Sequence, residues 1–127
     1  MEATELRIGN LVLFDKEEVV RVEYISSHHV IGLFGKETEH ILEKGDVSGI
    51  PLTEEWLKRL GLKYQFYSDT YEINFKYDCN KIFVDLFTKH VCIDTGLNSV
   101  YIEHIKYVHQ LQNLYYALTG EELTIKM

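Results

Sequence analysis

The sequence predicts an α+β protein: an N-terminal SH3-like small β-sheet or barrel, a connecting helix, and an antiparallel β-meander packed on a C-terminal helix. Three observations lead there. Short β-like runs recur in the first third at roughly ten-residue spacing, separated by turn residues. Two stretches carry helical periodicity with end signals. Between those two stretches the hydrophobic pattern returns to a period of two. The 127 residues suit one compact unit of ordinary domain size. Within it the boundaries fall at 1–52 for the SH3-like lobe, 53–61 for the helix and 62–127 for the meander with its helix.

The strands of the first lobe are RIGNLVLF (7–14), VVRVEYI (19–25) and VIGLFG (30–35). Alternation places Val20, Val22 and Tyr24 on one face and Val19, Arg21, Glu23 and Ile25 on the other. Gly9, Gly32 and Gly35 stand where a tightly bent sheet uses glycine. Residues 36–49, KETEHILEKGDVSG, are charged and glycine-punctuated, and read as a loop carrying a short strand.

IPLTEEWLKRLG (50–61) reads as a helix. Thr53 supplies the N-cap, Glu54 and Glu55 suit the positive first turn, and Lys58 and Arg59 suit the last. Leu52 and Leu57 are spaced as a hydrophobic staple, and Gly61 ends the helix in the left-handed region. Trp56, Leu57 and Leu60 make its apolar stripe. Strands follow at 63–68, 71–77, 81–87, 89–94 and 99–105, with turns at Ser68-Asp69, Asp78-Cys79-Asn80 and Thr95-Gly96. A second helix covers 106–119, Gly120 ends it, and a short strand LTIKM closes the chain.

Apolar residues make up 46% and charged residues 26% of the chain, which argues against wholesale disorder. A single proline and nine tyrosines suit β-rich structure. The net charge is −7, with −5 in residues 1–61 and −2 in 62–127. Grip on duplex nucleic acid needs clustered cations that displace counterions, and the longest basic grouping is Lys58-Arg59. No duplex nucleic-acid partner is expected. The acidic, polar start lacks the basic region of a signal peptide, and no apolar run reaches membrane-spanning length. A cytoplasmic protein with no membrane partner is therefore expected, and Cys79 and Cys92 are expected as free thiols.

The second helix carries the main functional question. HQLQNLYYALTG (109–120) contains no Asp, Glu, Lys or Arg. At 100° per residue, Tyr107, Val108, Leu111, Leu114, Tyr115 and Leu118 form the stripe expected to face the sheet. His109, Gln110, Asn113, Tyr116 and Ala117 lie opposite. This uncharged face is either covered by the other lobe, its amides satisfying loop backbone, or it is a contact with a protein partner or a second copy. Interface centres lose charge and gain Tyr in the same way, so His109, Gln110, Asn113 and Tyr116 are the candidate partner surface. A catalytic role for His109 lacks a carboxylate on the same face to orient it.

Other chemistry has thin support. The histidines at 28, 29, 40, 90, 104 and 109 include no HExxH and no pair at i, i+4. His90 and Cys92 share a strand face, with His104 able to join them if the register permits, but a half-exposed sheet surface is the preferred explanation. No metal or cofactor is expected. There is no GxSxG, and the stretches GLFG and GDVSG lack the lysine and the strand-loop-helix setting of a phosphate cradle. The paired carboxylates Glu17-Glu18, Glu54-Glu55 and Glu121-Glu122 sit at turns and helix ends. No catalytic residue is assigned, and the chain reads as a non-enzyme.

Three stretches taken together, ELRIGN (5–10), IPLTEEWL (50–57) and YVHQLQNLYYALTGEELT (107–124), resemble small uncharacterised proteins encoded by phages, prophages and mobile elements of gut bacteria. The resemblance implies a genomic setting and no reaction. The leading expectation is a non-enzymatic accessory protein that binds a host or viral protein. A small-ligand binder that captures a nucleotide defence signal is the alternative, with Tyr rings for stacking and Arg7 or Arg21 for phosphate. A virion structural component is a third.

Overall fold

The computed structural model describes residues 6–15, 18–25, 29–34, 36–43, 47–75 and 80–126. Cys79, His28, Glu17 and Gly35, singled out above, lie outside the described residues. The chain divides into two units. The first comprises residues 1–51 and 107–114, the second 52–106 and 115–127. The connecting helix thus belongs with the meander, and the start of the C-terminal helix with the N-terminal sheet.

The first unit holds strands β1 (Leu11–Phe14), β2 (Glu18–Ile25), β3 (His29–Phe34), β4 (Lys36–Glu43) and β5 (Val47–Ser48). They form an antiparallel sheet in the order β4-β3-β2-β1-β5. Among the described residues β4 and β5 are its two edges and do not pair, so the sheet is open where a closed SH3-like barrel was one expectation. Residues 36–43, expected as mostly loop, are a full strand. Their charges suit an edge, where they discourage pairing with other chains.

Leu6, Val12, Val20, Val22 and Val47 make the core of this unit, with Phe14 and Ile25 packed against it. Ile25 was expected on the face opposite Val20 and Val22. The β2–β3 register shifts between Val22 and Tyr24, and the extra residue of a bulge reverses the side-chain phase beyond it.

In the second unit α1 (Glu54–Arg59) starts at Thr53, whose side chain accepts the Trp56 N–H. It ends in a Schellman motif, with Leu62 N–H bonded to Leu57 C=O at 3.0 Å and Gly61 N–H to Lys58 C=O at 3.1 Å. Gly61 has φ 90°, which glycine adopts at little cost. Exposed i,i+4 pairs Glu54–Lys58 and Glu55–Arg59 line the outer face, while Trp56, Leu57 and Leu60 are buried.

Strands β6 (Lys63–Gln65), β7 (Thr70–Asn74), β8 (Lys81–Asp85), β9 (His90–Asp94) and β10 (Ser99–Ile102) form an antiparallel meander in the order β10-β9-β8-β7-β6. Ile82, Val84 and Val91 are buried on one face, and Lys81, Phe83, Asp85, His90 and Cys92 are half-buried on the other. Phe75 and Tyr115 meet edge to face in this unit, ring centroids 6.0 Å apart. Residues 123–126 are not a strand, although the Lys126 N–H bonds to the Arg59 C=O at 2.8 Å. Among the described residues no helix is long and apolar enough to cross a membrane.

Candidate functional site

The uncharged face belongs to the C-terminal helix, α2 (Val108–Thr119). The segment before β1 turns at Gly9, whose φ is 95°. The Arg7 N–H donates to Asn10 Oδ1 at 2.6 Å, closing that turn. The turn leaves the Leu11 N–H and Gly9 C=O outside any strand ladder. Gln112 satisfies both: its Oε1 accepts from Leu11 at 2.8 Å, and its Nε2 donates to Gly9 at 3.1 Å. Asn113 sits beside it and accepts the Asn10 side-chain amide at 2.8 Å and the Arg7 Nε at 3.2 Å. A guanidinium N–H of Arg7 also reaches the Gln112 C=O at 3.4 Å.

The expected partner residues therefore have different surroundings. His109 is fully buried, its ring parallel to that of Tyr107 at 5.8 Å between centroids. Gln110 is half-buried, and its Oε1 accepts the Tyr107 N–H at 3.1 Å, as a glutamine at the third helical position does in a capping box. Asn113 is half-buried within the network described above. Of the four, Tyr116 alone is exposed. The buried helix stripe also differs from the expected one. Val108, Leu111 and Tyr115 are buried, Gln112 joins them, and Leu118 is 44% exposed.

The absence of charge now has a physical cause. A charged side chain at the buried positions 109 or 112, or a Lys beside Arg7 at 113, would lose hydration without a matching opposite charge, whereas amides satisfy backbone groups at no ionic cost. Arg7 is engaged with Asn113 and Gln112, so the phosphate role considered for it competes with this network.

The meander carries the other candidates. Among the described residues no group of three His, Cys, Asp or Glu side chains is arranged as a metal site. The His90 ring packs on Tyr101 at 4.1 Å between centroids, and His104 is exposed in the turn after β10. Burial, and then the nearby Asp85 charge, push the Cys92 thiol above its ordinary pKa, which works against thiolate nucleophilicity. Lys81 pairs with Glu72 at 2.9 Å, and that hydrogen bond raises the Lys81 pKa. These two, with Tyr67, Thr70, Phe83 and Asp94, line a cavity of about 190 Å³. Pockets for drug-sized ligands usually run from about 300 Å³ upward.

Sequence reasoning missed the aromatic turn tips. Phe66 is 84% exposed, Tyr67 69% and Phe87 92%. The first two were read as the end of one strand and the last as the end of another. The strands stop sooner because their turns are internally bonded. Asp85 Oδ1 accepts from the N–H groups of Phe87 at 2.9 Å and Thr88 at 3.2 Å. In the other turn Tyr64 donates its hydroxyl to Asp69 at 2.7 Å. Asp69 and Lys89 both adopt positive φ, 53° and 61°, immediately before the next strand. The sequence signal was the matching spacing of Tyr67-Ser68-Asp69 and Phe87-Thr88-Lys89.

Comparison with known protein families, with curated proteins and with solved structures finds no match to this chain.

Proposed function

We propose that this chain is a non-enzymatic binding protein that contacts another protein through the aromatic turns of its meander, in the setting of a phage or mobile element of gut bacteria. The observation that carries the reading is the exposure of Phe66, Tyr67 and Phe87 on turns that their own hydrogen bonds hold in shape. Strands β6 and β8 run in the same direction, so both turns emerge at one end of the sheet. Two strand spacings, about 10 Å, separate them.

Aromatic side chains exposed in this way carry a large apolar area at small entropic cost, which is what anchors at interface centres do. The net charge of −7 works against attachment to anionic lipid or nucleic acid through the same residues. A protein partner with an apolar recess fits better.

The test is native mass spectrometry of the protein drawn from a gut-bacterial host, beside a Phe66→Ser/Tyr67→Ser/Phe87→Ser variant. The reading expects a second polypeptide on the parent protein in fixed stoichiometry, its loss from the variant, and the same melting temperature for both. A retained small molecule, or a partner that the variant keeps, would contradict it.

A further inference from the structure

We propose that β10 joins two copies of this chain, edge to edge and antiparallel, with Val100 of each copy facing Val100 of the other. The inference is independent of the aromatic turns, and either can fail without the other.

β10 is an edge strand of the meander. Its register on β9 runs from Ser99–Asp94 to Ile102–Val91. The Thr95 N–H bonds to the Asn98 C=O at 2.9 Å, which fixes the phase of the ladder. Bonded and non-bonded pairs alternate in an antiparallel ladder. Val100 and Ile102 therefore turn their main-chain groups toward β9, while Ser99 and Tyr101 turn theirs away from the sheet. Among the described residues no strand pairs with this edge, Val100 is 53% exposed, and Ser99 and Tyr101 are exposed.

Charge selects the occupant. Two copies of a chain of net charge −7 repel, so they meet most easily where neither carries charge. Residues 95–102, TGLNSVYI, contain no Asp, Glu, Lys or Arg. The other long edge, β4, reads KETEHILE, and β6 begins with Lys63. Those edges carry the charges that ordinarily block strand pairing, and β10 does not.

The symmetry is also self-consistent. A two-fold axis normal to the sheet keeps each face on its own side, so facing residues must have the same parity. Centring on Val100 satisfies this and sets Ser99 opposite Tyr101 of the second copy. The outward main-chain groups of both residues then become bonded pairs, and Glu103 lies opposite the uncharged Leu97.

Sedimentation velocity across a concentration series, with amide hydrogen exchange on the same samples, tests this. We expect twice the chain mass at high concentration, with the Ser99 and Tyr101 amides becoming protected as the dimer forms. Val100→Lys should return the protein to chain mass with its melting temperature unchanged. A protein that stays at chain mass throughout, or a dimer that leaves those two amides unprotected, overturns the proposal. The exchange measurement needs no variant, so it decides even where Val100→Lys fails to fold.

Discussion

Asn10 donates its side-chain amide to Asn113 Oδ1 across 2.8 Å, tying together residues 103 positions apart. Neither side chain carries charge, and Asn10 is fully buried. This pair and its neighbour Gln112 explain why a helix in a chain that is 26% charged goes without charge here. The amide side chains bond a turn of the same unit, where the Leu11 N–H, the Gly9 C=O and the Asn10 amide ask for neutral partners and the Arg7 cation repels a second positive charge.

Gln112 is the most demanding member of the network. Gln112→Leu keeps the volume but leaves the Leu11 N–H and Gly9 C=O without their present partner. Each such buried group costs about 1–3 kcal/mol. Urea denaturation should show a loss in that range or somewhat above it, and a loss below about 0.5 kcal/mol would show that the turn finds other partners.

The helix stripe predicts a contrast between two leucines. Leu111 is buried and Leu118 is 44% exposed. Leu111→Ala should cost about 2–5 kcal/mol, the usual range for a core leucine, and Leu118→Ala should stay within about 0.5 kcal/mol. Equal losses in parallel denaturant titrations would contradict the burial of this helix.

Gly49 lies beneath the ring of Tyr107. A Cβ there would stand 2.5 Å from Cγ of that ring, closer than non-bonded carbons approach. Gly49→Ala should therefore destabilise by about 1–3 kcal/mol, as overpacking does, and Gly49→Ala/Tyr107→Ala should recover part of the loss relative to Tyr107→Ala alone. Thermal melts of the three variants check this, and strict additivity would show that the ring simply moves aside.

Alkaline stability should depend on Tyr71. Burial, followed by its hydrogen bond to Glu54, pushes the Tyr71 pKa from 10 up to about 12. A raised folded-state pKa means that the folded state holds the proton longer than the unfolded state. The associated stability is fully present below pH 10 and is lost as pH rises through about 12. Tyr71→Phe should flatten the fall in urea midpoint across that window, and an equally steep fall in the variant would assign it to other groups.

Much of the fold is legible locally. The caps of α1 are written in Thr53, the Glu54-Glu55 and Lys58-Arg59 pairs and Gly61, all within one short segment. The β8 face pattern follows from simple alternation of Ile82 and Val84 with Lys81, Phe83 and Asp85. What was not legible depends on distant or cumulative geometry. Ile25 changes face because of a bulge that its residue types do not announce. Residues 36–43 read as loop because edge-strand charge resembles loop charge. Gln112 is assigned to neither helix face by the sequence because its partners, Gly9 and Leu11, stand more than 100 positions away. Phe87 reads as strand because the capture of its N–H by Asp85 is a matter of turn geometry.

The central claim is that His109, Gln112 and Asn113 make their face of the helix part of the chain's own interior, leaving recognition to the aromatic turns. Thermal melting of Asn113→Lys, with sizing chromatography on the same sample, tests it most directly. The substitution removes the acceptor of Asn10 and Arg7 and places a second cation beside the Arg7 guanidinium. The account predicts a protein destabilised by at least about 1–3 kcal/mol, visible as a lower melting temperature. An unchanged melt, whether the protein elutes at its former size or as a smaller species, would contradict it.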